Sequence, residues 1–169
     1  MKQIILITGG SRSGKSGYAE KLALSLSATP VYVATSRIRD EEFRRRVIHH
    51  QARRGKEWTN IEEEKELSRY RLKGRVVLVD CVTLWSANFF FDLNSGVDES
   101  LEAIKTEFDK FTAQDATFIF VTNEIGMGGV SGNETQRKFT DLQGWVNQYI
   151  AQQADQVVFM VSGIPMRMK

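Results

Sequence analysis

Cysteine, histidine and proline are scarce in this chain, and long hydrophobic runs are missing. The 169 residues include one cysteine, two histidines and two prolines. The single cysteine, Cys81, excludes an internal disulfide and fits a reducing compartment. The apolar run near the N-terminus, residues 4–7, is too short for a signal peptide or a membrane span. We therefore expect a cytoplasmic protein.

Excess charge is also lacking, because the formal net charge is only +2. This balance argues against a broadly basic surface that coats nucleic acid. The charge is nevertheless uneven, since residues 37–56 are rich in arginine and the next stretch, IEEEKE, is acidic. A local basic cluster favours one anionic ligand over a long polyanion. The alternative interpretation is a solvated helix face.

What the sequence does contain is an alternation of buried-strand and helix patterns. Continuous apolar runs rich in Val, Ile and Phe are typical of strands buried on both faces of a parallel sheet. They predict strands at 4–8, 30–35, 75–80, 117–122 and 156–162, with helices at about 15–28, 40–53, 82–92, 98–113 and 133–153. The order predicts a three-layer α/β domain with a mostly parallel central sheet, and without a linker we expect one domain over residues 1–169.

A phosphate-binding loop follows the first predicted strand. The segment GGSRSGKS fits G-x-x-x-x-G-K-[ST] in full, and it opens a predicted helix, which is the context that this motif requires. Its members are Gly9, Gly10, Ser11, Arg12, Ser13, Gly14, Lys15 and Ser16. Backbone N–H groups and the helix N-terminus bind phosphate oxygens, Lys15 reaches the β- and γ-phosphates, and Ser16 offers a hydroxyl to Mg²⁺. The segment predicts a three-layer fold of the P-loop NTPase type.

A P-loop also requires an acidic partner, which we expect at the end of a neighbouring strand. The run RVVLVD ends at Asp80, the position of a Walker-B aspartate. We predict that Ser16 and Asp80 hold Mg²⁺ and that Asp80 and Lys15 are catalytic. An N-K-x-D guanine-reading motif is absent, and VTNE at 121–124 lacks its lysine, so these residues do not identify the base.

Both histidines lie in the basic stretch RRRVIHHQARRGKEW, residues 44–58. Asp40 can cap the predicted helix, on which Arg46 and His50 share one face while His49 points about 100° away. Only one of the two histidines is therefore expected to do chemistry. A histidine near neutral pKa beside arginines suits nucleophilic attack on phosphorus. The alternative is a surface histidine pair on a basic helix.

Six motifs together resemble one enzyme family. They are GGSRSGKS, YVATS (32–36), DEEFRRRVIHHQARRGKEW (40–58), DCVTLWSAN (80–88), VTNEIGMGGV (121–130) and VSGIP (161–165). Through these motifs and their order along the chain, the protein resembles the bifunctional adenosylcobinamide kinase / adenosylcobinamide-phosphate guanylyltransferases of cobalamin synthesis. The family pattern R-[IV]-x-x-H places its nucleophile at His50.

The resemblance implies two reactions on a corrinoid substrate. In the first, the γ-phosphate of ATP or GTP moves to the hydroxyl of adenosylcobinamide. In the second, His50 takes GMP from GTP and passes it to the substrate phosphate, which gives adenosylcobinamide-GDP and pyrophosphate. The family's guanine-nucleotide contacts map onto Ala34, Thr35, Ser36, Gln51, Ala52, Arg53, Arg54 and Glu62. The resemblance also implies a homotrimer.

Two alternatives remain beside this interpretation: a small-molecule kinase whose histidines only bind phosphate, and a P-loop switch that binds a partner and transfers nothing. We also expect the aromatic stretch LWSANFFF (84–91) to pack in the core or at a subunit interface. Asn123 and Glu124 should contact substrate or nucleotide, because ligands of open α/β sheets bind where the strands end.

Overall fold

A seven-stranded sheet with helices on both faces organises the chain, as a computed structural model describes it for residues 1–37, 41, 44, 45, 48 and 54–169. The strands are β1 (Gln3–Gly9), β2 (Val31–Ala34), β3 (Thr59–Glu62), β4 (Val76–Asp80), β5 (Thr117–Val121), β6 (Gln156–Val161) and β7 (Ile164–Arg167). The helices are α1 (Lys15–Leu26), α2 (Val82–Asp92), α3 (Val97–Thr112) and α4 (Glu134–Gln153), with a 3₁₀ turn at Leu67–Arg69.

The strand order is β3-β2-β4-β5-β1-β6-β7. Every pair is parallel except β6 with β7, which form an antiparallel hairpin. The central strands are apolar except near their ends, because both of their faces are covered. The predicted mostly parallel α/β fold is confirmed.

Two hydrophobic clusters separate the layers. On one face, α2, α3 and α4 pack through Trp85, Phe108 and Val146 against the side chains of the central strands. On the other face, α1 packs through Ala19 and Ala23, whose small side chains bring the helix close to the sheet. Trp58 is part of the same cluster, and Leu84 of α2 packs against it.

Strands β3 and β7 were not predicted from the sequence. These two strands lie at opposite edges of the sheet, and nearly all of their residues are exposed. The search for continuous apolar runs detects burial, so it passes over edge strands. The helix predicted at 40–53 lies largely outside the described residues, and its described members, Glu41, Arg44, Arg45 and Ile48, are helical and exposed.

No helix within the described ranges combines the length and the hydropathy that a membrane crossing needs.

Candidate functional site

The P-loop runs from the last residue of β1 into the first turn of α1. Gly14, the N-cap of α1, has φ +93°, a left-handed value that glycine adopts without strain. The side chain of Lys15 is buried, and its Nζ donates to the carbonyl oxygen of Gly10 at 2.5 Å and to Ser13 Oγ at 3.4 Å. Burial lowers the pKa of Lys15, while the nearby Cys81 and Asp80 oppose that shift. The ammonium thus lies within the loop, where phosphate oxygens are expected.

Two other segments hold the P-loop in place. The N–H of Gly163, in the turn between β6 and β7, donates to the carbonyl of Ser13 at 2.9 Å. The N–H of Glu124, after β5, donates to the carbonyl of Gly9 at 3.0 Å. A Cβ on Gly14 would lie 3.2 Å from the Cα of Gly163, so the turn packs directly on the loop. Both segments are recognisable as sequence motifs, but their contact with the P-loop could not be predicted from the sequence.

The candidate carboxylates lie along the same edge of the sheet as the P-loop. In register, Ala34 pairs with Glu62 on one side and with Asp80 on the other, and Asp80 pairs with Val121. The strand of Asp80 is not a neighbour of β1, because β5 lies between them. The expectation of a neighbouring strand was therefore wrong: chain order does not determine strand order when helices connect the strands.

Asp80 has a partner that sequence reasoning missed. The hydroxyl of Tyr32 donates to Asp80 Oδ2 at 2.9 Å. Burial, with a smaller contribution from Asp80, raises the pKa of Tyr32 well above its ordinary value, so the hydroxyl remains a donor. The available signal was a phenol in an otherwise apolar strand, since a buried tyrosine hydroxyl usually has a polar partner.

Thr35 ties the ends of β2 and β4 together. Its buried hydroxyl donates to the carbonyl of Cys81 at 2.7 Å and accepts the N–H of Cys81 at 3.0 Å. Asn88 of α2 donates to the carbonyl of Thr35 at 2.8 Å and to that of Glu64 at 3.0 Å. The Thr35 hydroxyl is thus engaged by the backbone of Cys81, whereas the neighbouring residues Ala34 and Ser36 are half-buried.

Of the four residues expected just after the histidines, the structure describes only Arg54. Its guanidinium lies 3.5 Å from the centroid of the Tyr32 ring, and its Nε and Nη1 are buried with no hydrogen-bond partner among the described residues. The remaining predictions for this segment lie outside the described residues: Asp40, Arg46, His49, His50, Gln51, Ala52 and Arg53.

An ion-pair network holds the chain where the basic segment begins. Arg37 Nε lies 2.6 Å from a Glu64 carboxylate oxygen, and its Nη1 lies 2.8 Å from Asp92 Oδ1. Lys65 Nζ lies 2.6 Å from Asp92 Oδ2. Hydrogen bonds from the two cations hold the pKa of Asp92 below its usual range.

The segment after β5 uses its polar groups to build a loop. The carboxylate of Glu124 accepts the N–H groups of Gly126 and Met127, each at 3.0 Å. The N–H of Asn123 donates to Thr83 Oγ1 at 2.9 Å. The carboxylate of Glu124 therefore stabilises the loop that follows it. That Asn123 and Glu124 contact substrate or nucleotide remains a prediction.

The aromatic stretch of α2 is mainly core. Trp85 and Phe90 are fully buried, Phe89 packs against them, and Phe91 is exposed. The expected packing is confirmed for the first three of these residues.

Ser16 and Asp80 supply a hydroxyl and a carboxylate, which are the oxygen donors that Mg²⁺ prefers. Within the described ranges, no group of three or more His, Cys, Asp and Glu residues could hold a metal ion. A pair of protein oxygens fits Mg²⁺, because this ion keeps several waters and binds chiefly through substrate phosphates.

Comparison with known proteins decides the family. The family model described as cobinamide kinase / cobinamide phosphate guanyltransferase matches residues 5–168. The chain belongs to this family. The resemblance seen in the sequence motifs is thereby confirmed.

Relatives within the family match along nearly their whole length. The chain is 38% identical to the bifunctional adenosylcobalamin biosynthesis protein CobP of Pseudomonas aeruginosa, covering 97% of this chain and 96% of the relative. It is 37% identical to the bifunctional adenosylcobalamin biosynthesis protein CobU of Escherichia coli, covering 98% and 99%. Among solved structures, an ATPase from the type III secretion system of pathogenic bacteria has a TM-score of 0.55 at 13% identity, covering 93% of this chain and 50% of that one. This last likeness concerns the fold alone.

Proposed function

We propose that this protein phosphorylates adenosylcobinamide with ATP or GTP and then transfers GMP from GTP to the resulting phosphate. The products of the second step are adenosylcobinamide-GDP and pyrophosphate. The observation that carries the proposal is the family match over residues 5–168, which includes the complete P-loop. Both reactions are phosphoryl or nucleotidyl transfers, and a P-loop is built to bind the triphosphate that each of them consumes.

In the kinase step, the P-loop binds the triphosphate and Lys15 neutralises charge on its β- and γ-phosphates. The amide groups of Gly9 to Ser16 and the N-terminus of α1 bind the phosphate oxygens. Ser16 and Asp80 would hold Mg²⁺ together with those oxygens. When bound, Mg²⁺ supplies positive charge to the transferred phosphoryl group.

In the transferase step, His50 acts as the nucleophile. Its imidazole nitrogen forms a bond to the α-phosphorus of GTP, and the bond to the bridging oxygen breaks, which releases pyrophosphate. A phosphate oxygen of the phosphorylated corrinoid then attacks the same phosphorus, the N–P bond breaks, and His50 is regenerated. The family resemblance supports this assignment, as does the predicted helix face that His50 shares with Arg46.

The guanine nucleotide lies against residues at the end of β2, at the end of β3 and in the segment after the histidines. They are Ala34, Thr35, Ser36, Glu62, Gln51, Ala52, Arg53 and Arg54. The sheet register favours this arrangement, since Glu62, Ala34 and Asp80 lie side by side at the carboxyl edge. Ligands of open α/β sheets bind at that edge. Arginine guanidinium groups suit the phosphate oxygens.

The transferase step is tested by incubating the protein with GTP and Mg²⁺ and measuring the intact mass. The parent should gain the mass of GMP through a phosphoramidate, which acid hydrolyses and base leaves intact. His50→Ala should lose the label and keep kinase activity, because γ-phosphoryl transfer needs no imidazole. His49→Ala is the matched control and should still be labelled.

The outcomes separate the alternatives. Labelling lost in His49→Ala and kept in His50→Ala reverses the assignment of the pair. A protein that never gains GMP but phosphorylates the corrinoid is a kinase only. If Lys15→Ala retains full kinase turnover while folded, the P-loop is not the triphosphate site.

We further propose a cytoplasmic homotrimer, for which family resemblance and the scarcity of cysteine are the support. Light scattering coupled to size-exclusion chromatography tests the assembly. A mass of three chains is expected, and a monomer at micromolar concentration contradicts it.

A further inference from the structure

Tyr32 lies in the middle of β2 but reaches the carboxyl edge of the sheet. Its register partner on β4 is Leu78, two residues before Asp80, so Leu78 and Asp80 project from the same face. The phenol extends along this face, and its hydroxyl donates to Asp80 Oδ2 at 2.9 Å. Tyr32 is only 4% exposed, although its hydroxyl serves a residue at the site.

The ring of Tyr32 is held by two neighbours. The guanidinium carbon of Arg54 lies 3.5 Å from the ring centroid. Trp58 packs edge-on against the ring, with centroids 5.8 Å apart and planes at 82°. A buried ring held in this way presents its hydroxyl in one fixed position.

The bond engages Oδ2 of Asp80. Among the residues that the structure describes, none donates a hydrogen bond to the other carboxylate oxygen, Oδ1. A neutral hydroxyl orients the carboxylate without cancelling its charge, whereas an ion pair with lysine or arginine would reduce the attraction for a cation. The arrangement suits a carboxylate that binds a metal ion through the remaining oxygen.

We propose that Tyr32 is a positioning residue, which orients the Asp80 carboxylate toward the Mg²⁺ that accompanies the bound triphosphate. The inference rests on the proposed function, in which Asp80 holds this ion. Tyr32 acts only through Asp80. Its hydroxyl should therefore affect how much Mg²⁺ the triphosphate complex requires, and not whether the P-loop binds phosphate.

The test measures binding of a non-hydrolysable GTP analogue by titration calorimetry at a series of Mg²⁺ concentrations. In Tyr32→Phe, which keeps the ring and removes only the hydroxyl, the half-saturating Mg²⁺ concentration should rise about tenfold, as is usual when a partner of a metal ligand is lost. The affinity for the analogue without Mg²⁺ should stay within about twofold of the parent. A defect in packing alone would weaken binding under both conditions.

Tyr149→Phe is the matched control. The Tyr149 hydroxyl donates to Asp109 at 2.8 Å, so this variant also deletes a tyrosine–aspartate bond, but on the side of the sheet away from α1. Its Mg²⁺ requirement should equal that of the parent. If Tyr149→Phe shifts the requirement as much as Tyr32→Phe does, the effect is not specific and the proposal is wrong.

Asp80→Asn distinguishes a failure of this inference from a failure of the proposed function. If Asp80→Asn raises the Mg²⁺ requirement and Tyr32→Phe does not, Asp80 keeps its role and Tyr32 has none. If Asp80→Asn leaves the requirement unchanged, the proposed role of Asp80 fails, and the inference fails with it. The double variant should match Asp80→Asn alone, because Tyr32 acts through that carboxylate. Additive effects of the two substitutions would overturn the proposal.

Discussion

Alanine at Gly9 should destabilise the protein far more than alanine at Gly10, although the two glycines are adjacent. Gly9 has φ +154°, a value that residues with side chains rarely adopt, and an added Cβ would lie 2.5 Å from the carbonyl oxygen of Met160. Met160 is the register partner of Gly9 on β6, so the oxygen cannot retreat without opening the ladder between β1 and β6. A Cβ on Gly10 meets nothing within 4 Å.

The magnitude follows from two costs at Gly9. The sparsely populated backbone conformation costs about 1–3 kcal/mol for a residue with a Cβ, and overpacking against a fixed oxygen adds about 1–3 kcal/mol. We expect Gly9→Ala to lower the free energy of unfolding by about 2–6 kcal/mol. Gly10→Ala should change the free energy of unfolding by less than about 1 kcal/mol. Any change should be a stabilisation, because alanine lowers the conformational entropy of the unfolded chain.

Urea denaturation followed by circular dichroism measures both variants against the parent. For a chain of this length, a loss of about 3 kcal/mol lowers the Tm by about 6–12 °C. The dependence of the unfolding free energy on urea should be equal in all three proteins, since the surface exposed on unfolding is the same. Equal stability of Gly9→Ala and Gly10→Ala would refute the reasoning.

Three further perturbations probe the surroundings of the site. Burial raises the pKa of the Cys81 thiol to about 12, so little of the reactive thiolate is present at pH 8. A thiol reagent at this pH should therefore label the protein only after unfolding. Fast labelling of the folded protein would contradict this prediction. Asp92→Asn should cost about 1 kcal/mol at pH 7, a figure limited by solvent screening. Because the folded pKa of Asp92 is depressed, its contribution is present above the ordinary carboxyl pKa of about 4 and is lost as the pH falls below it. The parent and Asp92→Asn should therefore converge in stability in acid. Glu102→Gln, which removes an exposed pair with Lys105, is the control and should leave the Tm unchanged at pH 7 and in acid. A difference between parent and Asp92→Asn that stays constant with pH excludes the mechanism. Asn88→Ala should lower the free energy of unfolding in urea by about 1–3 kcal/mol, because it leaves the buried carbonyl of Thr35 without its donor and also removes a part-buried bond to the carbonyl of Glu64. A loss below about 1 kcal/mol would show that water replaces the amide.

The sequence alone determined the P-loop and the buried part of the sheet. GGSRSGKS is a contiguous segment, and the loop forms from backbone groups and one lysine within it. The central strands could be predicted because burial on both faces demands unbroken apolar runs. The helix at 82–92 was predicted with the bounds that the structure has, and the N-cap of α4 is Asn133, where the predicted helix begins.

Only the tertiary structure decided which distant residues meet. The phenol of Tyr32 in an apolar strand indicates a polar partner, but nothing local to it identifies that partner as the carboxylate of Asp80, 48 positions away. The order of the strands in the sheet could not be predicted either, because a helical crossover can place the next strand on either side of the previous one. In the structure, β5 lies between β1, which leads into the P-loop, and β4, which ends at Asp80. The edge strands β3 and β7 lack the long apolar runs of buried strands, since they form by pairing with β2 and β6 and bury little surface themselves. A site formed by one contiguous segment can therefore be predicted from the sequence. Contacts between residues of different strands cannot, because they depend on the packing that brings those strands together.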